Sequence, residues 1–325
     1  MKILITSSGS TTAISVAKAL NLSSIYKFIL IGTDIYDNFT IPSPIFFKKI
    51  YKVPKYFENN YIQTLIKICI KENIKFIIPI LDQEIEKITK NIDVFKKNNI
   101  IVCSSSYDTV VDCNDKYVTY LKLKNEGVNV SKAYLPKDLN KVKKYIKPPY
   151  FIKPRRGVSS IDCYKVDSFK ELEILIKKID EPIIQKTLTG KKYVLDVLND
   201  LNGNNLIVVP REEIDSKAGV GIKTISLNDK DLIKYGKRIS EALKIIGPAN
   251  IEIFRDKGRI ELIEINPRFS AGTIATVVAG VNTPEILIDV FLHKKIDKKR
   301  LEWNSNLYMT RYWQEVFYLN SKMVK

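Results

Sequence analysis

A single histidine, His293, and four cysteines, at 69, 103, 113 and 163, are all that this 325-residue sequence offers of two residue types on which much enzyme chemistry depends. No two cysteines stand in C-x-x-C spacing, which argues against a Cys/His zinc site and against a disulfide framework. One histidine leaves little room for nucleophilic or general-base catalysis of the histidine type. Its setting in FLHKK, near a helix end, suits a surface position. No apolar run reaches the roughly 20 residues needed to span a bilayer. The opening MKILITSSGS lacks the basic segment, long apolar segment and cleavage site of a signal peptide, so a cytoplasmic protein with no membrane association is expected. The phosphate-binding pattern G-x-x-x-x-G-K-[ST] is absent. There is no internal repeat and no low-complexity linker.

What is present is an ordinary globular composition, 45% hydrophobic and 27% charged, with an excess of lysine and arginine that gives a formal charge of +17. Such a balance fits a nucleic-acid partner, attraction for anionic small molecules such as nucleotides, or a compositional bias toward lysine. The lysines are scattered through helix-like segments rather than gathered in one arm, so no nucleic-acid partner is expected.

The first hundred residues alternate strand and helix signals. Apolar runs at 2–6, 28–34, 76–80 and 100–104 are separated by helical periodicity at 11–20, 61–73 and 84–92, which predicts parallel strands with right-handed crossovers. An open α/β domain over residues 1–105 follows. Beyond it, a helix near 115–125 precedes a small α+β pattern, with strands at 150–154, 161–166 and 182–188 and helices between them. Strands at 192–198 and 205–211, joined through Asn202-Gly203, read as one hairpin. A helix at about 229–246 precedes a second hairpin at 250–268, and helical spacing returns at 283–292.

The second hairpin, NIEIFRDKGRIELIEINPR, carries the clearest chemistry. Side chains alternate faces along a strand, so Ile251 and Ile253 oppose Glu252, while Ile263 and Ile265 oppose Glu264 and Asn266. A three-residue turn near Lys257 places Glu252 diagonally opposite Glu264 on one face, beside Arg268. Carboxylates brought together repel unless a cation lies between them, and such oxygen ligands suit magnesium. The alternative is a solvated polar face on a surface hairpin. In PYFIKPRRGVSS a strand delivers Lys153 to a Gly- and Ser-containing loop, which is either a phosphate cradle or a basic surface turn. The loop after the first strand has one glycine, Gly9, where a dinucleotide fingerprint needs three, so a plain helix N-terminus is the better reading despite Asp34 at the end of the second strand. Asp82 and Glu84 either line a pocket or cap the helix that follows, with capping preferred.

FIKPRRGVSS, PIIQKTLTGKKYVLDVL, VVPREEI and NIEIFRDKGRIELIEINPRFSAGT occur in the order found in ATP-grasp enzymes. The chain resembles relatives of carbamoyl phosphate synthetase and biotin carboxylase, including the pyrrolysine-type amino-acid ligases. The resemblance implies a Rossmann-like N-terminal α/β domain (1–105) followed by a two-lobed α+β ATP-grasp domain (106–325), with a lid lobe at about 130–191 and a C-terminal lobe at about 192–310. It implies ATP and Mg2+ (Mn2+ as the alternative) as cofactors and small carboxylate and amine substrates, and it is compatible with a homodimer.

By the same resemblance, Lys116 and Lys153 meet the phosphates, and Gly157, Ser159 and Ser160 belong to the loop that closes over the triphosphate. Lys186 and Leu188 meet adenine through the backbone. Glu252, Glu264 and Asn266 hold the metal, and Arg268 and Arg211 face the transferring phosphoryl group. The implied activity is carboxylate–amine or carboxylate–thiol ligation through an acyl phosphate, with a phosphoryl transferase on the same core, or a non-catalytic nucleotide- or nucleic-acid-binding protein, as alternatives.

Two departures stand out. Lys192 stands where the family usually carries a ribose-binding acid, and a single core without a repeat argues against the two-half carbamoyl phosphate synthetase reaction. With no anion in the cleft, Lys153, Arg155 and Arg156 are expected to repel Arg211 and Arg268 and so to hold a lid open.

Overall fold

The computed structural model describes residues 1–157 and 161–324. A five-stranded parallel sheet forms first, in the spatial order Lys49–Lys52, Ile29–Asp34, Lys2–Ile5, Phe76–Ile78, Ile101–Val102. Its strands are short and apolar because both faces are covered: Ile3, Ile5, Phe76 and Ile78 belong to one buried cluster, and Leu4, Ile31 and Ile77 to another. Helix Thr11–Asn21 starts at an N-cap, Ser10, whose hydroxyl accepts the Ala13 amide. The edge strand Lys49–Lys52 escapes sequence reading because none of its side chains is buried. Helices Ile92–Lys97, Tyr107–Asn114 and Thr273–Ala279 are likewise too short for a clear period.

A small antiparallel sheet follows, ordered Tyr164–Val166, Tyr150–Pro154, Pro182–Lys186, with its own cluster around Val142, Ile152, Leu172 and Ile184. The third sheet is antiparallel and six-stranded. Its order is Arg259–Asn266, Gly247–Asp256, Lys191–Asn199, Asn205–Lys217, Val220–Ser226, Tyr308–Thr310. One face is apolar: Leu195, Val208, Ile251, Ile253 and Ile265 pack against Leu232 and Ile239 of helix Lys230–Ala242. The other face grades from apolar to polar along each strand. Leu198 and Val209 enter the core shared with helix Thr283–Phe291, whereas Lys192, Asp196, Arg211 and Glu213 face the cleft. The period of two in the sequence thus decides which residues are free for chemistry.

The Arg259–Asn266 hairpin corrects the expected turn. Its loop has two residues, Lys257 at φ 46° and Gly258 at φ 83°, and Asp256 pairs directly with Arg259. Positive φ at both positions is the type I′ geometry that matches strand twist, and glycine takes it without strain. Continued without interruption, that register would set Glu252 opposite Ile263 and turn Glu264 to the far face. A bulge intervenes between the pairs Ile253–Leu262 and Glu252–Glu264, so the two glutamates lie directly opposite one another on one face.

Among the described residues no single helix is long and apolar enough to cross a membrane.

Candidate active site

Adjacent strands carry a mirrored pattern, Asn250-Ile251-Glu252 against Glu264-Ile265-Asn266, with Asn250 paired to Asn266 and Glu252 to Glu264. On each strand the amide donates to the carboxylate two residues away, Asn250 Nδ2 to Glu252 Oε1 at 3.4 Å and Asn266 Nδ2 to Glu264 Oε1 at 3.3 Å. Asn250 Oδ1 is buried without a partner among the described residues. Asn250 was not anticipated as a site residue, although the same alternation that picked out Glu252 reaches it two residues earlier.

Two lysines approach these acids from other elements. Lys116, the first residue of helix Lys116–Asn125, places Nζ 3.9 Å from Glu264 Oε2 and donates to the Gly157 carbonyl at 3.0 Å. Asp115 caps that helix by accepting the Tyr117 and Val118 amides, which fixes where Lys116 emerges. Lys153, buried on strand Tyr150–Pro154, donates to the Ile263 carbonyl at 3.0 Å. Ile263 is the bulge residue, so the interruption that aligns the glutamates also frees an acceptor for this lysine. Burial, reinforced by repulsion from Lys116, pushes the Lys153 ammonium down to about 8.

The carboxylates respond differently. Burial and the charge of Glu264 raise Glu252, against the pull of Lys192. Burial opposes ionisation of Glu264 as well, but Lys116 and Lys153 outweigh it and hold this carboxyl below the usual range.

Arg268 forks onto Asp82, with Nε–Oδ1 at 3.0 Å and Nη2–Oδ2 at 3.1 Å, and so ties the hairpin's end to the parallel sheet. The preference for Asp82 and Glu84 as caps therefore fails. The N-cap is Leu81, with no side-chain bond, while Glu84 accepts from Ser7 at 2.6 Å and Tyr61 at 2.9 Å. Arg211 is 2% exposed and bidentate on Asp196, at 3.0 and 3.2 Å, with Ser270 at 3.0 Å. A Cβ on Gly272 would lie 2.4 Å from this guanidinium, so any larger residue there would push Arg211 off Asp196.

The expected mutual repulsion of cations does not hold. Arg155 meets Asp115 at 2.7 Å and Arg156 meets Glu86 at 3.3 Å, while Arg211 and Arg268 have Asp196 and Asp82. Each arginine has its own acid, from segments too distant in sequence for the pairing to be read beforehand. Arg311 is different: it donates to the Gly221 carbonyl at 3.1 Å and to the Ala271 carbonyl, with no carboxylate partner among the described residues.

Two cavities border the hairpin. One, of about 250 Å³, is lined by Asp82, Asn114, Lys116, Gly157, Glu264 and Asn266. The other, of about 370 Å³, is lined by Lys186, Thr187, Phe254 and Glu261. Lys186 pairs with Glu261 at 2.7 Å, and Thr187 Oγ1 is buried without a partner among the described residues. Leu188 lies in the link between strands Pro182–Lys186 and Lys191–Asn199. Ser159 and Ser160 lie outside the described residues.

No group of three His, Cys, Asp or Glu placed to hold a metal ion by itself occurs among the described residues. Two carboxylates with two amides fit a hard, oxygen-seeking cation that takes its remaining ligands from phosphate and water. The orphaned Asn250 oxygen agrees with that fit.

A parallel α/β sheet, a small antiparallel lobe and a large antiparallel sheet with acids facing the cleft define an ATP-grasp architecture. Residues 3–103 match the model of the PylC-like N-terminal domain, and residues 178–314 match that of the ATP-grasp in the biosynthetic pathway with Ter operon. The chain is 25% identical over 232 residues to the carbamoyl phosphate synthase large chain of Thermoanaerobacter sp. (strain X514), an alignment that covers 65% of this chain and 21% of that one. It therefore spans about a fifth of the length of that relative.

The fold is shared with the biotin carboxylase domain of Hydrogenobacter thermophilus 2-oxoglutarate carboxylase, solved with MgADP, ADP and bicarbonate. The TM-score is 0.75 at 15% identity, over 94% of this chain and 73% of that one. Campylobacter jejuni biotin carboxylase, solved with an ATP analogue, gives 0.74 at 17%, over 93% and 73%. Residues 178–314 thus match an ATP-grasp family model, and the chain resembles carbamoyl phosphate synthase in sequence and biotin carboxylase in fold.

Proposed function

We propose that this chain is an ATP-dependent ligase that joins a small carboxylate to an amine, or to a thiol, through an acyl phosphate. The observation that carries the reading is the mirrored Asn-x-Glu pair facing Lys116 and Lys153 across a cleft. Three parts divide the work. Residues 1–105 shape the substrate pocket, a lid lobe at about 130–191 brings Lys153 and the loop from Gly157 through Ser159 and Ser160, and a C-terminal lobe at about 192–310 brings the acids.

In this reading the substrate carboxylate oxygen attacks the γ-phosphorus, the bond to the β-phosphate oxygen breaks, and ADP leaves. The amine nitrogen then attacks the acyl carbon, the carbon–oxygen bond breaks, phosphate leaves, and the nitrogen loses a proton. Magnesium (or manganese) at Glu252, Glu264 and Asn266 neutralises phosphate oxygens when bound. Lys116 and Lys153 place positive charge along the phosphates, and the backbone at Lys186 and Leu188 meets the adenine edge. Arg268 and Arg211 steady the charge that develops on the transferring group. A lid that excludes water protects the acyl phosphate from hydrolysis.

ATP with magnesium is expected to raise the melting temperature, since a ligand at about 100 times its Kd stabilises the folded state by about 2.7 kcal/mol. NADH is expected to leave it unchanged, and a shift with NADH alone contradicts the nucleotide assignment.

A second expectation concerns pH. Lys153 is cationic below about 8 and neutral above it, so its attraction for phosphate is present on the acid side and lost as pH rises. The Kd for ATP is expected to increase by up to about tenfold per unit above that point. Lys153→Arg, charged throughout, is expected to flatten the profile, and an equally steep profile in that variant excludes Lys153 as the cause.

A further inference from the structure

Three carboxylates of the polar face, Glu213, Glu252 and Glu264, have counter-ions that are not equivalent. Among the described residues Glu264 has one ion-pair partner, the loose Lys116 at 3.9 Å, which also bonds to the Gly157 carbonyl, beside the Asn266 amide at 3.3 Å. Glu252 meets the Lys192 ammonium at 2.8 Å, and the same nitrogen lies 3.0 Å from Glu213. The lysine side chain is 24% exposed and those of its two acids 16% and 6%. Lys192, Glu213 and Glu252 sit on three neighbouring strands and point to one face through the alternation that also places Asp196 and Arg211 there.

Carboxylates this close need a cation among them, and here the chain supplies one covalently. An ordinary lysine is already cationic at neutral pH, and this one has two carboxylates within 3.0 Å of its nitrogen. A divalent ion on that side of Glu252 would have to approach a fixed positive charge in contact with the carboxylate. Like charges at such separation in a partly buried site repel strongly, and a divalent ion is repelled more than a monovalent one. On the Glu264 side there is room. Lys116 stands off, the 250 Å³ cavity opens there, and the Asn266 amide adjoins it.

Resting on the nucleotide-and-metal reading above, we propose that Lys192 is a resident cation of the site. It takes the place between Glu213 and Glu252 that a second divalent ion would take, so nucleotide binds with a single divalent ion, held at Glu264 and Asn266. The outer oxygen of Glu252 completes the rim of that one site. Lys192 thereby replaces a diffusible charge with a fixed one.

Mn2+ titrated into the protein saturated with a non-hydrolysable ATP analogue, and counted by electron paramagnetic resonance, tests this without turnover. One tightly bound ion per chain is expected for the natural sequence. Lys192→Met is expected to bind two, because Glu213 and Glu252 lose their counter-ion, and Lys192→Arg is expected to return to one. Two tight ions on the natural chain overturn the inference whatever the variants do. One ion on both the natural chain and a folded Lys192→Met or Lys192→Gln overturns it as well, since the lysine would then not limit the count. Failure of the natural chain to bind either analogue or ion is a separate result, which defeats the nucleotide reading on which the inference rests.

Discussion

Glu264→Gln is expected to lower the rate of ATP turnover by at least about a hundredfold while leaving the fold intact. Removing one preorganised group that stabilises a transition state costs about 2.7–4 kcal/mol, and a metal-binding carboxylate acts on both ground and transition states of a phosphoryl transfer. The substitution keeps the shape of the side chain and removes the charge that faces Lys116 and Lys153 and that the proposed metal would share. Circular dichroism is expected to superimpose on that of the natural chain. A variant with near-normal turnover in magnesium would show that Glu264 is not a ligand, and the paired-strand account of the site would fall with it.

The largest structural effect is expected at Asp196. Its carboxylate accepts from Arg211 at 3.0 and 3.2 Å, from Ser270 at 2.7 Å and from Thr276, all of them buried. Asp196→Ala leaves a buried guanidinium without its counter-charge, and breaking such a pair costs about 3–5 kcal/mol. Urea unfolding is expected to move to correspondingly lower concentration. The double variant Asp196→Leu with Arg211→Met is expected to recover much of the loss, since no charge is then stranded. A loss below about 1 kcal/mol in the single variant would mean that Arg211 finds another partner and that the network is not rigid.

The contrast between these two positions shows what the chain's linear order discloses. Glu264 and Asn266 were legible as one face of their strand, and Glu252 with Asn250 as one face of its neighbour, because a period of two governs each strand taken singly. The alignment of the two glutamates was not, because it depends on a bulge at Ile263, and a one-residue slip is invisible to alternation read strand by strand. The parallel sheet announced itself through apolar runs buried on both faces, except at Lys49–Lys52, where the edge position leaves polar and apolar residues alike half-covered.

The arginines were legible as cations but not as members of pairs. Asp82 and Arg268 are 186 residues apart, and Asp115 and Arg155 are 40 apart. Only the packing of separate lobes brings them together. Lys192 is the converse case. It reads as an irregularity in sequence, a lysine where the resemblance leads one to expect an acid, and in the fold it is the partner of two acids.

The central claim, transfer of the γ-phosphoryl group to a carboxylate, is tested most directly by following oxygen. The protein is incubated with ATP, magnesium, hydroxylamine as nucleophile and the twenty common amino acids labelled with 18O in their carboxyl groups, and the products are read by mass spectrometry. The account predicts ADP, a hydroxamate, and inorganic phosphate that carries one 18O from the carboxylate. AMP with pyrophosphate, or phosphate released without label as ATP is consumed, would contradict it.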